Sequence, residues 1–358
     1  MRVDVKKKNR KLPKLIATLI VIMSISALFL IVYNETKYAP QPVELNNEIT
    51  LYGPSLDYYY IDFSKSKYLD DAQYHTFDKG GIPLFEINKT YYYHPVHISQ
   101  YALGAYDYYL KTKDTKARKI FLKCADWLKD NVKKHGSFYY WEYTLKAEWA
   151  TMHNGKWFSA MAQGEGVSVL LRAFCETKDK TYLRVARDII RSIFYDVSSG
   201  GVSVVKGYNY IFPQEYPSTP SSDVLNGAIF AYFGVYDYYR VTEDPDVKEI
   251  GEIIARTFAG SLDQFDNGYW SLYCRRPKCL APPFYNSLHV TQLKVVYLIT
   301  GDKRFLEYSR KFEGYQEKRI NRVRFAVANH IRQAREFKIK DINKLIVFLR
   351  NQLSLNWT

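Results

Sequence analysis

One short turn occurs four times in this chain: Thr112-Lys113-Asp114, Thr177-Lys178-Asp179, Thr242-Glu243-Asp244 and Thr300-Gly301-Asp302, at spacings of 65, 65 and 58 residues. Each copy follows an apolar run with helical spacing and precedes an amphipathic one, such as TYLRVARDIIRSIF after Asp179. Each therefore reads as a helix, a turn and a second helix, and a repeat of this length implies stacked helix pairs. Long, more polar segments join one pair to the next, which favours an open α/α toroid over a regular solenoid. The first helix of each pair is the more apolar: QYALGAYDYYL, AMAQGEGVSVLLRAF, VLNGAIFAYFGVYDYY and HVTQLKVVYLI. A helix that is apolar all round is buried, so these are read as the inner ring. The expected fold is mainly α, an incomplete (α/α) toroid of about four helix pairs, with a short β-rich N-terminal region and an N-terminal transmembrane helix.

A second regularity lies inside the first. Gln100, Gln163, Asn226 and Gln292 fall near the start of successive inner helices, at spacings of 63, 63 and 66 residues. They could line the mouth of the toroid, where helix N-termini favour an anionic ligand. The alternative is that they cap or bridge neighbouring helices.

The ends of the chain differ from its body. Residues 1–14 form a basic tail, and Leu15 to Tyr33 is a run of 19 uncharged residues, long enough to span a bilayer as a signal anchor. The flanking charges orient the N-terminus toward the cytoplasm and the bulk of the chain outside it or in a lumen. Residues 34–90 read as a stem and short β-rich region, 91–312 as the toroid, and 313–358 as a basic helical tail. The net charge of +14 is concentrated in the two ends, each +6, so the body carries only about +2. That distribution suits contact with a membrane surface and argues against a nucleic-acid groove. Cys274 and Cys279 flank the loop CRRPKC and could pair locally, whereas Cys124 and Cys175 sit in apolar helical patterns as thiols. Asn34, Asn88 and Asn356 begin N-x-Thr triplets, acceptors for glycans outside the cytoplasm.

The chemistry concentrates in loops that enter the inner helices. QEYPSTPSSDVLNG places Glu215 and Tyr216 before two prolines, and Ser221, Ser222 or Asp223 could cap the helix that follows. GYWSLYCRRPK carries Tyr273, Arg275 and Arg276, and PPFYNSLHVTQL carries Tyr285 and His289. A phenol can act as acid or base if a neighbouring cation stabilises its phenolate. No Ser-His-Asp order, phosphate loop or metal-ligand cluster accompanies these loops, so neither a metal nor a cofactor is expected. Tyrosine is abundant, 33 residues, and aromatic clefts with scattered Arg, Gln and Asn suit sugars.

As a set, WFSAMAQGEGVSVLLRAF (157–174), EYPSTPSSDVLNG (215–227), GYWSLY (268–273) and YNSLHVTQL (285–293) resemble the C-terminal catalytic domain of D-glucuronyl C5-epimerases, which act on heparosan or heparan sulfate. YHPVHISQYAL (93–103) is similar to the segment that opens that domain. The resemblance implies an α/α toroid, a type II membrane topology in many relatives and often a homodimer. The chemistry it implies is inversion at C5 of a glucuronate, to iduronate, within an anionic polysaccharide. By the same resemblance Glu215, Tyr216 and Tyr285 are catalytic, while Tyr273 and Arg276 contact substrate; Gln163 and Asn226, from the repeated amides, and His289, at the entry of the last inner helix, are expected as further substrate contacts. Inversion needs proton groups on both faces, Glu215 or Tyr216 on one and Tyr285 on the other. Two departures stand out. Residues 34–90 replace a larger β-rich region of animal relatives, and Asn286 stands where many relatives have His. Two further readings share these residues: a uronate lyase that abstracts the same proton and eliminates, and a non-catalytic envelope glycan binder.

Overall fold

The structure, a computed structural model, describes residue 18 and residues 39–64, 76–145 and 156–336. Apart from residue 18, the expected anchor at 15–33 lies outside the described residues, as do Asn34, Asn356 and the tail beyond 336. Among the described residues no helix is long and apolar enough to cross a membrane. Gln41–Gly314 forms one compact unit, and residues 1–40 with 315–358 form another.

The chain is mainly helical, and the pairs fall where the repeat places them. They are α1 (Pro95–Thr112) with α2 (Thr115–Asp130), α3 (Ala160–Thr177) with α4 (Lys180–Ile190), α5 (Leu225–Thr242) with α6 (Pro245–Ala259), and α7 (Pro283–Thr300) with α8 (Lys303–Glu317). A further helix, α9 (Arg319–Glu336), follows in the basic tail. The first helices pack in a row, α1 on α3, α3 on α5 and α5 on α7. Every residue of α3 from Ala160 to Ala173 is buried, whereas α4 buries only Tyr182, Ala186, Ile189 and Ile190, one stripe of an outer helix. The inner helices α3 and α5 approach closely at glycine. A Cβ on Gly164 would lie 2.4 Å from the Cα of Ala231, so no larger residue fits there.

The recurring turn has one physical construction. Each threonine hydroxyl donates to the carbonyl four residues back, as Thr177 does to Ala173 at 2.7 Å, and accepts the amide of the aspartate, as from Asp179 at 3.2 Å. The aspartate then caps the outer helix, Asp179 accepting from the amide of Thr181. The middle residue is left-handed in all four copies: Lys113, Lys178, Glu243 and Gly301. Only the last has the residue that favours that conformation. Lys178→Gly is therefore expected to stabilise the fold by about 0.5–1 kcal/mol, read as a higher urea midpoint at unchanged slope.

Each segment that leads into an inner helix carries a small antiparallel element. β1 (Thr76–Phe77), β2 (Pro83–Ile87) and β3 (Thr90–Tyr92) precede α1. The hairpins β4–β5 (Lys133–His135, Phe138–Tyr140), β6–β7 (Ser203–Val205, Ile211–Pro213) and β8–β9 (Leu272–Cys274, Cys279–Leu280) precede α3, α5 and α7. These connections gather at the N-terminal ends of the inner helices.

Residues 42–63 are irregular rather than stranded, yet they bury Leu56, Tyr59, Tyr60 and Ile61. Charged side chains buried on the inner helices hold them. Arg172 of α3 donates to the carbonyls of Asp57 and Tyr58 and pairs with Asp237 of α5 at 2.7 Å, with neither side chain exposed. Tyr60 donates to the other oxygen of Asp237 at 2.6 Å, and Asp107 of α1 accepts the amide of Tyr59 at 2.9 Å. Arg240 donates to the carbonyls of Tyr52, Gly53 and Ser55. Backbone carbonyls without strand partners thus find donors, as buried polar groups must.

Candidate active site

A cavity of about 500 Å³ opens at the N-terminal ends of the inner helices, lined among others by His94, Ser159, Glu215, Tyr216, Asn226 and Tyr285. His94 and Ser159 are the caps of α1 and α3, their side chains accepting from the amides of His97 and Ala162. Asn226 and Tyr285 stand in the first turns of α5 and α7. The ends of the segments that enter the inner helices bring these residues to one place.

Glu215 is the best-anchored of them. Tyr273 donates to one carboxylate oxygen at 3.2 Å, the Asn226 amide reaches the other at 3.4 Å, and Tyr216 also hydrogen-bonds to it. The carboxylate lies so close to α5 that a Cβ on Gly227 would stand 2.3 Å from it, which leaves room only for glycine. Burial raises the Glu215 pKa to about 7, against the hydrogen bonds from Tyr216, Tyr273 and Asn226. The negative charge of Glu215, and then burial, push Tyr216 up; burial, and then Glu215, push Tyr273 up. These phenols are hydrogen-bonded to a carboxylate whose charge disfavours their phenolate forms. The aromatic rings extend the floor: Tyr273 meets Tyr285 edge-on with centroids 5.0 Å apart, and Tyr216 meets Trp157 at 5.4 Å.

The arginines of the CRRPKC loop serve Asp223. Arg275 and Arg276 each place a guanidinium nitrogen 2.9 Å from the same oxygen of Asp223, and Arg276 also donates to the Ser221 hydroxyl. Gln214 donates to the other Asp223 oxygen at 2.8 Å. Burial pushes the Asp223 carboxyl up, but Arg275 and Arg276 outweigh it and hold the group below its usual range. Asp223 adopts the left-handed conformation that Asp tolerates, φ 54°, and none of Ser221, Ser222 and Asp223 caps α5, whose cap is Val224 with no side-chain bond. The clamp fixes the Glu215 loop to the β8–β9 hairpin that presents Tyr273.

Of the residues singled out from sequence, Glu215, Tyr216, Asn226 and Tyr285 line the cavity, and Tyr273 reaches Glu215 from behind it. Arg276 does not line it. Gln163 is fully buried, donating to the Tyr139 carbonyl and the Ser192 hydroxyl. His289 is also fully buried beside the Ser271 hydroxyl, and burial lowers its pKa to about 3. Gln292 bridges to the Asn226 carbonyl at 3.0 Å, and Asn286 to the Ser271 amide and the Phe312 carbonyl. Of the four repeated amides, Gln163 and Gln292 bridge elements, while Gln100 and Asn226 face the cavity.

Sequence reading missed Glu165. It is fully buried on α3, accepts from Gln100 at 3.0 Å, and burial drives its pKa far up. A carboxylate at a helical position otherwise filled by small and apolar residues was the available signal. Among the described residues no group of three or more His, Cys, Asp or Glu could hold a metal ion.

The sequence profile described as D-glucuronyl C5-epimerase C-terminus matches residues 133–314. A D-glucuronyl C5-epimerase of Caenorhabditis elegans is 31% identical over 231 residues, which cover 58% of this chain and 37% of the relative. An uncharacterized protein of Methanocaldococcus jannaschii is 27% identical over 224 residues, covering 58% of this chain and 72% of that one. The chain therefore spans little more than a third of the nematode relative. A solved structure of unsaturated glucuronyl hydrolase from Bacillus sp. GL1 aligns at TM-score 0.43 with 18% identity, over 62% of this chain and 61% of that one. A D-mannose isomerase aligns at TM-score 0.45 with 10% identity, over 70% and 66%.

Proposed function

The chain belongs to the D-glucuronyl C5-epimerase family by its C-terminal domain, and we propose that it inverts C5 of glucuronate residues within a polysaccharide. The observation that carries this reading is Glu215: a buried carboxyl with a pKa of about 7, hydrogen-bonded by two phenols, in a cavity that Tyr285 also lines. A base poised near neutrality is suited to taking a carbon-bound proton. Glu215 takes the C5 proton, and the electron pair passes into the substrate carboxylate as an enolate. Hydrogen-bond donors aimed at that charge lower the barrier. The Tyr285 phenol then returns a proton to the opposite face, and solvent restores both groups. Tyr216 and Tyr273 hold the Glu215 carboxylate in place and keep its pKa from rising further.

Placement outside the cytoplasm, held by residues 15–33, follows from the charge flanking that segment. Cleavage of the body by protease added to sealed vesicles whose cytoplasmic face is outward would refute it.

The test of the reaction uses heavy water. The full chain is incubated with a glucuronate polymer without sulfate, and the products are examined for deuterium at C5 and for chain length. Deuterium at C5 with an iduronate signal and intact chains is expected. Chain cleavage with an unsaturated product would replace epimerisation by elimination, and the absence of both would leave a binding protein.

A further inference from the structure

We propose that Cys274 and Cys279 form a disulfide that closes the hairpin carrying Tyr273. The two residues are direct partners across the antiparallel β8–β9 pair. Opposed residues in such a pair have Cα atoms about 4.5–5.5 Å apart, within the range that a disulfide bridges. The register shifts between Leu272 and Cys274, and the cysteines are the last paired residues before the loop 275–278. Both side chains are buried in one cluster with Val224, Tyr273 and Ala281, against which Tyr216 and Tyr285 pack. In the thiol form Cys274 donates to the Pro277 carbonyl at 2.9 Å, so its sulfur already points into the loop that the bond would close.

The hairpin is where a cross-link has consequence. Tyr273, next to Cys274, donates to Glu215, and Arg275 and Arg276 hold Asp223. A bond across the base of this loop fixes the phenol and both guanidiniums to one rigid turn. The oxidant required is a disulfide of the extracytoplasmic space, small or protein-borne. Cys279, 8% exposed against 0% for Cys274, attacks first, its thiolate displacing one sulfur of that disulfide to form a mixed disulfide. One oxidant thiol leaves, Cys274 displaces the second from the mixed disulfide, and two electrons and two protons pass to the oxidant.

Equilibrating the full chain in glutathione buffers of graded ratio tests this without reference to catalysis. The protein is quenched with iodoacetamide in urea and mapped with a protease that leaves 274–279 uncut. The expected result is a peptide about 2 Da lighter and unalkylated at oxidising ratios, while Cys124 and Cys175 are alkylated throughout. Reduction of wild-type protein should lower Tm by about 4 °C, and Cys279→Ser should remove that response to reductant. Alkylation of both Cys274 and Cys279 at every ratio overturns the proposal. Because mass and Tm are the readouts, failure here leaves the epimerase reading standing, and failure of that reading leaves the disulfide.

Discussion

Glu215→Gln is expected to lower turnover about 10²–10⁴-fold and, at pH 8, to raise thermal stability. Both effects have one cause. The native carboxyl holds its proton up to a pKa of about 7, whereas in the unfolded chain a glutamate titrates near 4.3. Between these values the native state binds more protons than the unfolded state, so stability falls as pH rises through that window and stays reduced above it. Glutamine has no charge to bury. The Tm advantage of the variant should be near zero at pH 4, grow between about pH 4.3 and the native pKa of about 7, and level off above it. Wild-type kcat/KM, by contrast, should rise with pH along an apparent pKa near 7, because the base must be ionised. The measurements are calorimetric Tm and C5 exchange across that range. A variant that keeps wild-type exchange removes Glu215 from the reaction, and a Tm difference independent of pH removes the buried charge.

Arg172→Ala is expected to cost about 3–5 kcal/mol of folding stability. It would leave the Asp237 carboxylate buried with only Tyr60 as partner and strip the carbonyls of Asp57 and Tyr58 of their donor. The Arg172 guanidinium also covers the Tyr59 ring, its carbon 5.1 Å from the centroid. Denaturant unfolding gives the number. Adding Asp237→Ala to the variant should cost less than the two losses summed, since the second charge is then no longer stranded. A loss below about 1 kcal/mol would mean that segment 42–63 is held by its apolar side chains together with Arg240 and Asp107, without need of Arg172.

Comparison of the two sites shows which physics a sequence displays. The Thr-x-Asp turns are built from bonds that span two to four residues, so their residues recur wherever the turn does. The clamp at Asp223 joins residues more than fifty apart. Asp223 reads as a helix cap in sequence, and Arg275 and Arg276 read as partners for a phenol; the packing of one hairpin on one loop joins them to each other instead. Gln163 and Asn226 occupy equivalent places in their repeats and differ in what the packing brings near. For Gln163 it is a backbone carbonyl and a serine; for Asn226 it is Glu215.

The sequence by itself determined the helix pairs, their turns and which helix of each pair is buried, because hydrophobic period and local capping act over a few residues. It also brought Glu215, Tyr216 and Tyr285 forward, because loops entering buried helix ends are where exposed chemistry can be mounted. Tertiary structure alone decided what those groups are. Glu215 becomes a carboxyl with a pKa of about 7 because burial opposes its charge while Tyr216, Tyr273 and Asn226 support it. The arginines nearest in sequence are held by Asp223 instead. A pKa is a difference in solvation and neighbours between two charge states, and those neighbours come together only when the four pairs close around them.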